Sequence, residues 1–285
     1  MIDLWTQEVV KIYEALNGRM RLAGGCVRDY LLNQMPCDID MATPLLPNEV
    51  MTQLKRARIT TYPIARGHGV VGAEMSGQVF EITTLRQDVY SDLGQEKIHF
   101  ITDYRTDAVR RDFTINALYL DRQNTLYDYV GGQEDLKNRC VRFIGDPFTR
   151  MKEDPLRMFR YIRFWAQYGA EYPDEIVMGA FPELRAQIQN ISTGRLCKEF
   201  LKILMCNRVI PAVELMNNMK MTERLIARVN TKALKELLNS CPNADSWTRL
   251  KVLSDGDIMP IWHVGLSQNS GNRSFYELQK KRKSV

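Results

Sequence analysis

LAGGCVRDYLLNQMPCDIDMAT, residues 22–43, constrains this chain more than any other stretch. Two adjacent glycines open it, a helix-length segment comes next, and an Asp-Ile-Asp alternation closes it. Glycine at a strand-to-helix turn adopts backbone dihedrals that other residues resist. It also lets a phosphate approach the first amides of the next helix. In a strand, residues two apart share a face, so Asp38 and Asp40 project together while Ile39 faces the core. Neighbouring carboxylates repel one another unless a cation neutralises them, and an all-oxygen pair suits Mg²⁺. Each half has a plain alternative: a steric turn for the glycines, a solvated strand face for the aspartates. Both halves still predict a strand, a turn, a short helix and a second strand.

The 285 residues are long enough for more than one domain. Hydrophobic residues at 45% and charged residues at 26% fit a folded globular chain. No apolar run reaches the roughly 18 residues a membrane-spanning helix needs. The opening MIDLWTQEVVKIYEALN is an amphipathic helix pattern, unlike a secretory signal. Six cysteines without a CxxC pair, and three isolated histidines, point to reduced thiols and away from a disulfide framework or zinc site. The net charge of +5 is modest, but Arg and Lys crowd residues 105–111, 150–163 and the QKKRK of the C-terminus. Such clusters favour a polyanionic partner, although QKKRK also reads as a solvated tail.

Hydrophobic spacing predicts a helix over 3–17, a strand in RMRLA, a short helix in VRDYLLN and a strand in CDIDMA. GVVGAEMSGQVFEITTL reads as a hairpin about Ser76-Gly77, and TINALYLDRQNTLYDYV as a strand pair turning near Gln123-Asn124. The polar, poorly periodic residues 87–108 read as a mobile loop. From about residue 134 the period becomes helical, through EDPLRMFRYIRFWAQYG, FPELRAQIQNI, TGRLCKEFLKILM, IPAVELMNNM and TKALKELLNS. WTRLKVLSDGD and the remaining C-terminal residues lack that period. The predicted class is α+β: a mixed-sheet head over 1–135, a helical neck over 136–208, and a shortened helical body or tail over 209–285.

GGCVRD with DID downstream of it resembles the signature of the class II tRNA nucleotidyltransferases and bacterial poly(A) polymerases, a branch of the polymerase β superfamily. RRDFTINAL, residues 110–118, is similar to that family's second motif, and KEDPLRMFRYIRF, residues 152–164, to its EDxxR helix. NISTGRLCKEF resembles a further motif, with Gly194 where a glutamate is expected and with Arg195 and Glu199 retained. The resemblance covers residues 20–205 and then fades, which marks a C-terminally short member.

The resemblance implies that Asp38 and Asp40 hold two catalytic Mg²⁺ ions and that Gly24, Gly25 and Arg28 contact the incoming nucleotide. A third carboxylate on a neighbouring strand is usual, and Glu81 in VFEITTLR is the candidate; a solvated strand glutamate is its plain alternative. Arg111 offers a planar donor fork for phosphate, and Asp112 an acceptor for a ribose hydroxyl. Asp154 and Arg157, three apart on a helix, share one face, with Arg160 and Arg163 continuing the row. Asp accepts from an exocyclic amine and Arg donates to ring nitrogen or carbonyl, so the pair presents a Watson–Crick-like edge to cytosine or adenine. Uracil and guanine carry the opposite pattern and leave polar groups unpaired, which discriminates strongly. Asp154 before Pro155 is equally a helix-capping pair.

YPIARGHGVVGAEMSG stands where poly(A) polymerases carry a basic stretch, and the length of 87–108 suits the CCA-adding form. The expectation is therefore a CCA tRNA nucleotidyltransferase that adds C, C and A to tRNA 3′ ends from CTP and ATP. Its partners are the tRNA 3′ end and acceptor arm, with no membrane, in the cytoplasm or an organellar matrix. Poly(A) or A-only addition is the alternative, and an inactive RNA-binding relative a distant third.

Overall fold

A computed structural model describes residues 2–90, 96–257 and 262. It divides into two compact units, residues 1–153 and 154–285. QKKRK lies outside the described residues.

The first unit opens with α1 (Gln7–Ala15), whose Thr6 hydroxyl accepts from the Val9 amide and caps the helix. Then come β1 (Arg21–Ala23), α2 (Gly25–Leu31), β2 (Asp40–Thr43) and α3 (Pro47–Arg56). Proline at the first position of α3 and the Glu49 carboxylate on the Leu46 amide (2.7 Å) set that helix's start. Next are β3 (Thr60–Ala65), β4 (Val70–Met75) and β5 (Gln78–Thr84), then β6 (Arg86–Tyr90) and β7 (Glu96–Phe100). The unit closes with α4 (Tyr104–Arg110), β8 (Leu118–Leu120), β9 (Leu126–Asp128), α5 (Gly132–Lys137) and α6 (Pro147–Glu153).

Among the described residues, seven strands form one mixed sheet in the order β3-β4-β5-β2-β1-β8-β9. Only β2 and β5 run parallel; every other neighbouring pair is antiparallel. Alternation along the strands sorts the faces. Leu22, Met41, Val71, Phe80 and Ile82 join Val9, Ile12, Val50 and Leu54 of α1 and α3 in a large apolar cluster. On the other face Ala23, Ala42 and Tyr119 meet Ala108 of α4 in a smaller one. The small alanines there let α4 lie close, and the Tyr104 hydroxyl reaches the Ala42 carbonyl at 3.1 Å.

Three expectations for the first unit change. Residues 87–108 are no plain loop: β6 and β7 pair as a ribbon from Arg86↔Phe100 to Tyr90↔Glu96, and α4 comes after it. Alternation there is masked because both faces of the ribbon carry polar residues. The strand predicted in CDIDMA begins only at Asp40, with Asp38 in the bend before it. The first unit also runs past residue 135: Phe143 bridges to Phe113, their rings 4.6 Å apart, and the Ile144 amide donates to the Asp112 carbonyl at 3.0 Å.

The second unit is helical. It contains α7 (Leu156–Tyr168), α8 (Glu175–Leu184), α9 (Thr193–Ile203), α10 (Val209–Asn218), α11 (Thr231–Ser240) and α12 (Ser246–Leu253). Asp174, Asn230 and Asp245 cap α8, α11 and α12 through their side chains. The helix α12 falls where little helical period was expected, because its apolar positions are sparse; the Asp245 cap and buried Leu250 and Leu253 fix it. No helix among the described residues is long and apolar enough to cross a membrane.

Candidate functional site

The carboxylates come first. Asp40 opens β2, and its parallel register partner on β5 is Glu81. Asp38 lies two residues earlier, and all three residues are exposed. Glu81's pKa is raised, first by the protein packed about its carboxyl and then by the charge of Asp38. That repulsion is what a divalent cation would relieve, and oxygen donors suit Mg²⁺. Among the described residues no three His, Cys, Asp or Glu side chains close into a ready metal cage. Mg²⁺ is commonly held by one or two carboxylates together with waters and substrate phosphates, which an open arrangement fits.

The glycine turn sits beside them in the chain's fold. Gly24 has φ +75° and ψ −125° and caps α2 without a side chain. A Cβ there would lie 3.1 Å from Arg111 Nη1, and one on Gly25 would lie 3.6 Å from Arg28 Nη2. Two guanidiniums therefore come up to the two positions that lack side chains. Cys26 links the turn to the aspartate strand: its thiol donates to the carbonyls of Ala23 (3.4 Å) and Asp40 (3.6 Å). Burial, and then the Asp40 charge, push this thiol up to about 12, so it stays a donor.

Arg28 and Arg111 are held in place. The Arg28 Nε and Nη2 donate to Asp29 Oδ1 at 2.9 and 2.8 Å, and Nη1 donates to Asn116 Oδ1 at 2.5 Å. Asn116 in turn donates to Asp112 Oδ1 at 3.3 Å, and the same oxygen accepts from the Phe113 amide. Arg111 donates to Asp107 Oδ2 through Nε and Nη2 (3.3 and 3.1 Å) and to the Asn116 carbonyl (3.2 Å). Asp107, 1% exposed, also accepts from Arg110 and the Tyr119 hydroxyl.

In the second unit Asp154 precedes α7, and the Arg157 amide donates to its carbonyl at 2.9 Å. The Asp154 side chain does serve the helix start, Oδ1 accepting from the Leu156 amide at 3.2 Å. Its Oδ2 accepts from Arg195 of α9 at 2.6 Å. Arg157 is buried on α7. Arg160 and Arg163 lie over the Phe164 ring, 5.5 and 4.0 Å from its centroid, and Arg163 Nε donates to Glu199 of α9.

Comparison with known proteins gives the chain's family. The family described as "Poly A polymerase head domain" matches residues 20–142, and that described as "Probable RNA and SrmB- binding site of polymerase A" matches residues 173–231. The chain is 38% identical over 210 residues to the mitochondrial CCA tRNA nucleotidyltransferase 1 of Danio rerio, covering 73% of this chain and 49% of that protein. It is 35% identical over 248 residues to the Homo sapiens counterpart, covering 85% and 56%. The crystal structure of the Bacillus stearothermophilus CCA-adding enzyme in complex with CTP superposes with a TM-score of 0.66 at 29% identity, over 75% of this chain and 52% of that one. The chain belongs to the class II CCA-adding nucleotidyltransferase family. It spans about half the length of the curated relatives it matches. Nucleotidyltransferases of this family work with a divalent metal ion.

Within that family frame, four participants went unnoticed in the sequence. Asn116 lies inside RRDFTINAL but is an unremarkable residue type there. Asp29 is the immediate neighbour of the arginine it holds, Asp107 is hidden by burial, and Cys26 acts through the carbonyl of Asp40 on the next strand. Gly24→Ala should cost about 2 kcal/mol, because an L-residue is strained at that φ and its Cβ would press on Arg111. Urea denaturation checks the cost, and nucleotide binding should weaken with it.

Proposed function

We propose that this chain is a CCA tRNA nucleotidyltransferase, adding C, C and A to tRNA 3′ ends from CTP and ATP with release of pyrophosphate. The observation that carries it is the registration of Asp40 against Glu81, with Asp38 close enough to perturb Glu81, beside a glycine turn faced by two guanidiniums. Asp38 and Asp40 would hold Mg²⁺, with Glu81 as the third carboxylate. The two ions would supply activation of the tRNA 3′-hydroxyl and neutralisation of charge on the triphosphate and departing pyrophosphate.

The chain's own residues do the rest. Gly24 and Gly25 leave room for phosphate, and Arg28 and Arg111 provide fixed positive charge under it. Because Asp29, Asn116 and Asp107 hold those guanidiniums, little reorganisation accompanies the change of charge during transfer. Asp112 accepts a ribose hydroxyl. Asp154 and Arg157 present the base-selecting edge, and Arg160 and Arg163 add positive charge along the same helix. The names of the relatives and the CTP complex of the bacterial enzyme support CTP, ATP and tRNA as substrates. The setting we favour is a reducing compartment, the cytoplasm or an organellar matrix, where six free cysteines are at home.

The decisive experiment gives purified protein Mg²⁺, all four NTPs and a tRNA lacking its last three nucleotides, then sequences the 3′ ends. Ends reading CCA are expected. Incorporation of ATP with no CTP would refute CCA addition in favour of A-only addition or poly(A) synthesis. No incorporation by folded protein would leave an RNA-binding relative.

A further inference from the structure

We infer that Arg195 is a specificity-determining positioning residue, holding the Asp154 carboxylate as a fixed hydrogen-bond acceptor for the exocyclic amine of the incoming base. The inference rests on the proposed role of Asp154 in base selection.

Asp154 is anchored twice, from different elements. Its Oδ1 accepts from the Leu156 amide at the start of α7, and its Oδ2 accepts from Arg195 Nη2 on α9 at 2.6 Å. Together these contacts fix both side-chain torsions. Each carboxylate oxygen has two lone pairs, so a doubly anchored Asp154 still has acceptor capacity for a base. The ion pair is half in solvent, with side chains 53% and 25% exposed. Exposed pairs of this kind add little to fold stability, so its effect falls on where the carboxylate points.

It falls also on what the carboxylate offers. A guanidinium has only donors and no acceptor, so the partner it holds is presented as an acceptor. Cytosine and adenine carry the amine that such an acceptor selects. One turn further along α9, Glu199 accepts from Arg163, so α9 braces the selecting segment at two points. Arg195 and Glu199 are the two residues that the Gly194 departure leaves intact.

Single-nucleotide addition tests this with wild type, Arg195→Ala, Arg195→Lys, Arg195→Gln and Asp154→Asn. CTP is compared with UTP on tRNA lacking its last three nucleotides, and ATP with GTP on tRNA ending in CC. Arg195→Ala should lower the kcat/KM ratio of right to wrong base by about tenfold or more, with an unfolding midpoint close to wild type. Arg195→Lys should retain most of the selectivity, and Arg195→Gln, which keeps a donor without the charge, should fall between. An unchanged ratio in Arg195→Ala, with only a lower rate, overturns the inference. If Arg195→Ala does not fold, Arg195→Gln decides by the same ratio. A wild type without preference for CTP and ATP, or an Asp154→Asn with unaltered choice, would instead overturn the proposed base-selecting role itself.

Discussion

Asp40→Ala should lower nucleotide transfer by about 10³-fold or more while tRNA binding stays near wild type. The side chain is exposed at the first residue of β2, where its loss opens no cavity. Cys26 bonds the Asp40 main-chain carbonyl, and an alanine keeps that contact. What disappears is one of two carboxylates proposed to hold the catalytic ions, and several kcal/mol of transition-state stabilisation correspond to three or more decades of rate. Single-turnover assays read the first half of the prediction, and filter binding of labelled tRNA reads the second. A variant that also fails to bind tRNA would give Asp40 a structural role and sink the assignment. Glu81→Gln grades the third carboxylate in the same assay: its loss should be smaller than that of Asp40, and a rate equal to wild type would return Glu81 to a solvated strand residue.

Much of this architecture is legible in residues 22–43, and the reason is geometric. A turn at Gly24 needs a residue without a Cβ, and the apolar segments on either side of it mark β1, α2 and β2 in order, although β2 takes in only the second aspartate of the DxD. Period alone also reveals α1, the hairpin of β4 and β5, and most helices after residue 155. The ribbon of β6 and β7 escaped because its alternation carries no core face. The parallel partnership of β2 with β5 escaped for a different cause: pairing between strands forty residues apart leaves no local trace. Glu81 could be nominated from the sequence, but its register opposite Asp40 could not.

The same distinction separates the proposed site residues from their supports. Arg28, Arg111 and Asp154 stand out as charged residues in recognisable strings. What fixes them is partly distant, Asn116 for Arg28 and Arg195 for Asp154, and partly local but indistinguishable from ordinary charges in the string, Asp29 for Arg28 and Asp107 with the Asn116 carbonyl for Arg111. Asp107 in particular looks like one more charge in a mixed run, YRTDAVRRD, until burial shows that it is the centre of that run.

Asp107→Asn is therefore expected to destabilise the head strongly, by about 3 kcal/mol or more at neutral pH. Burial alone would raise this carboxyl's pKa, but the Arg111 and Arg110 guanidiniums and the Tyr119 hydroxyl outweigh it and hold it at about 2. An amide keeps the shape and loses the charge, leaving two arginines without their shared partner, and breaking a buried pair from one side is costly. A carboxyl with a depressed folded-state pKa contributes stability above its unfolded value of 3.8, and that contribution is lost as pH falls through about 2. The linked part is about 2 kcal/mol, and about half of it is gone by pH 3. Urea denaturation of both proteins at pH 7 and pH 3 isolates it, because every other carboxylate titrates alike in the two. The gap between wild type and Asp107→Asn should narrow by about 1 kcal/mol at the lower pH. A gap that does not change would mean that Asp107 is no keystone charge. Nucleotide binding reports the same loss at the site, since an Arg111 released from Asp107 no longer stands fixed beneath Gly24.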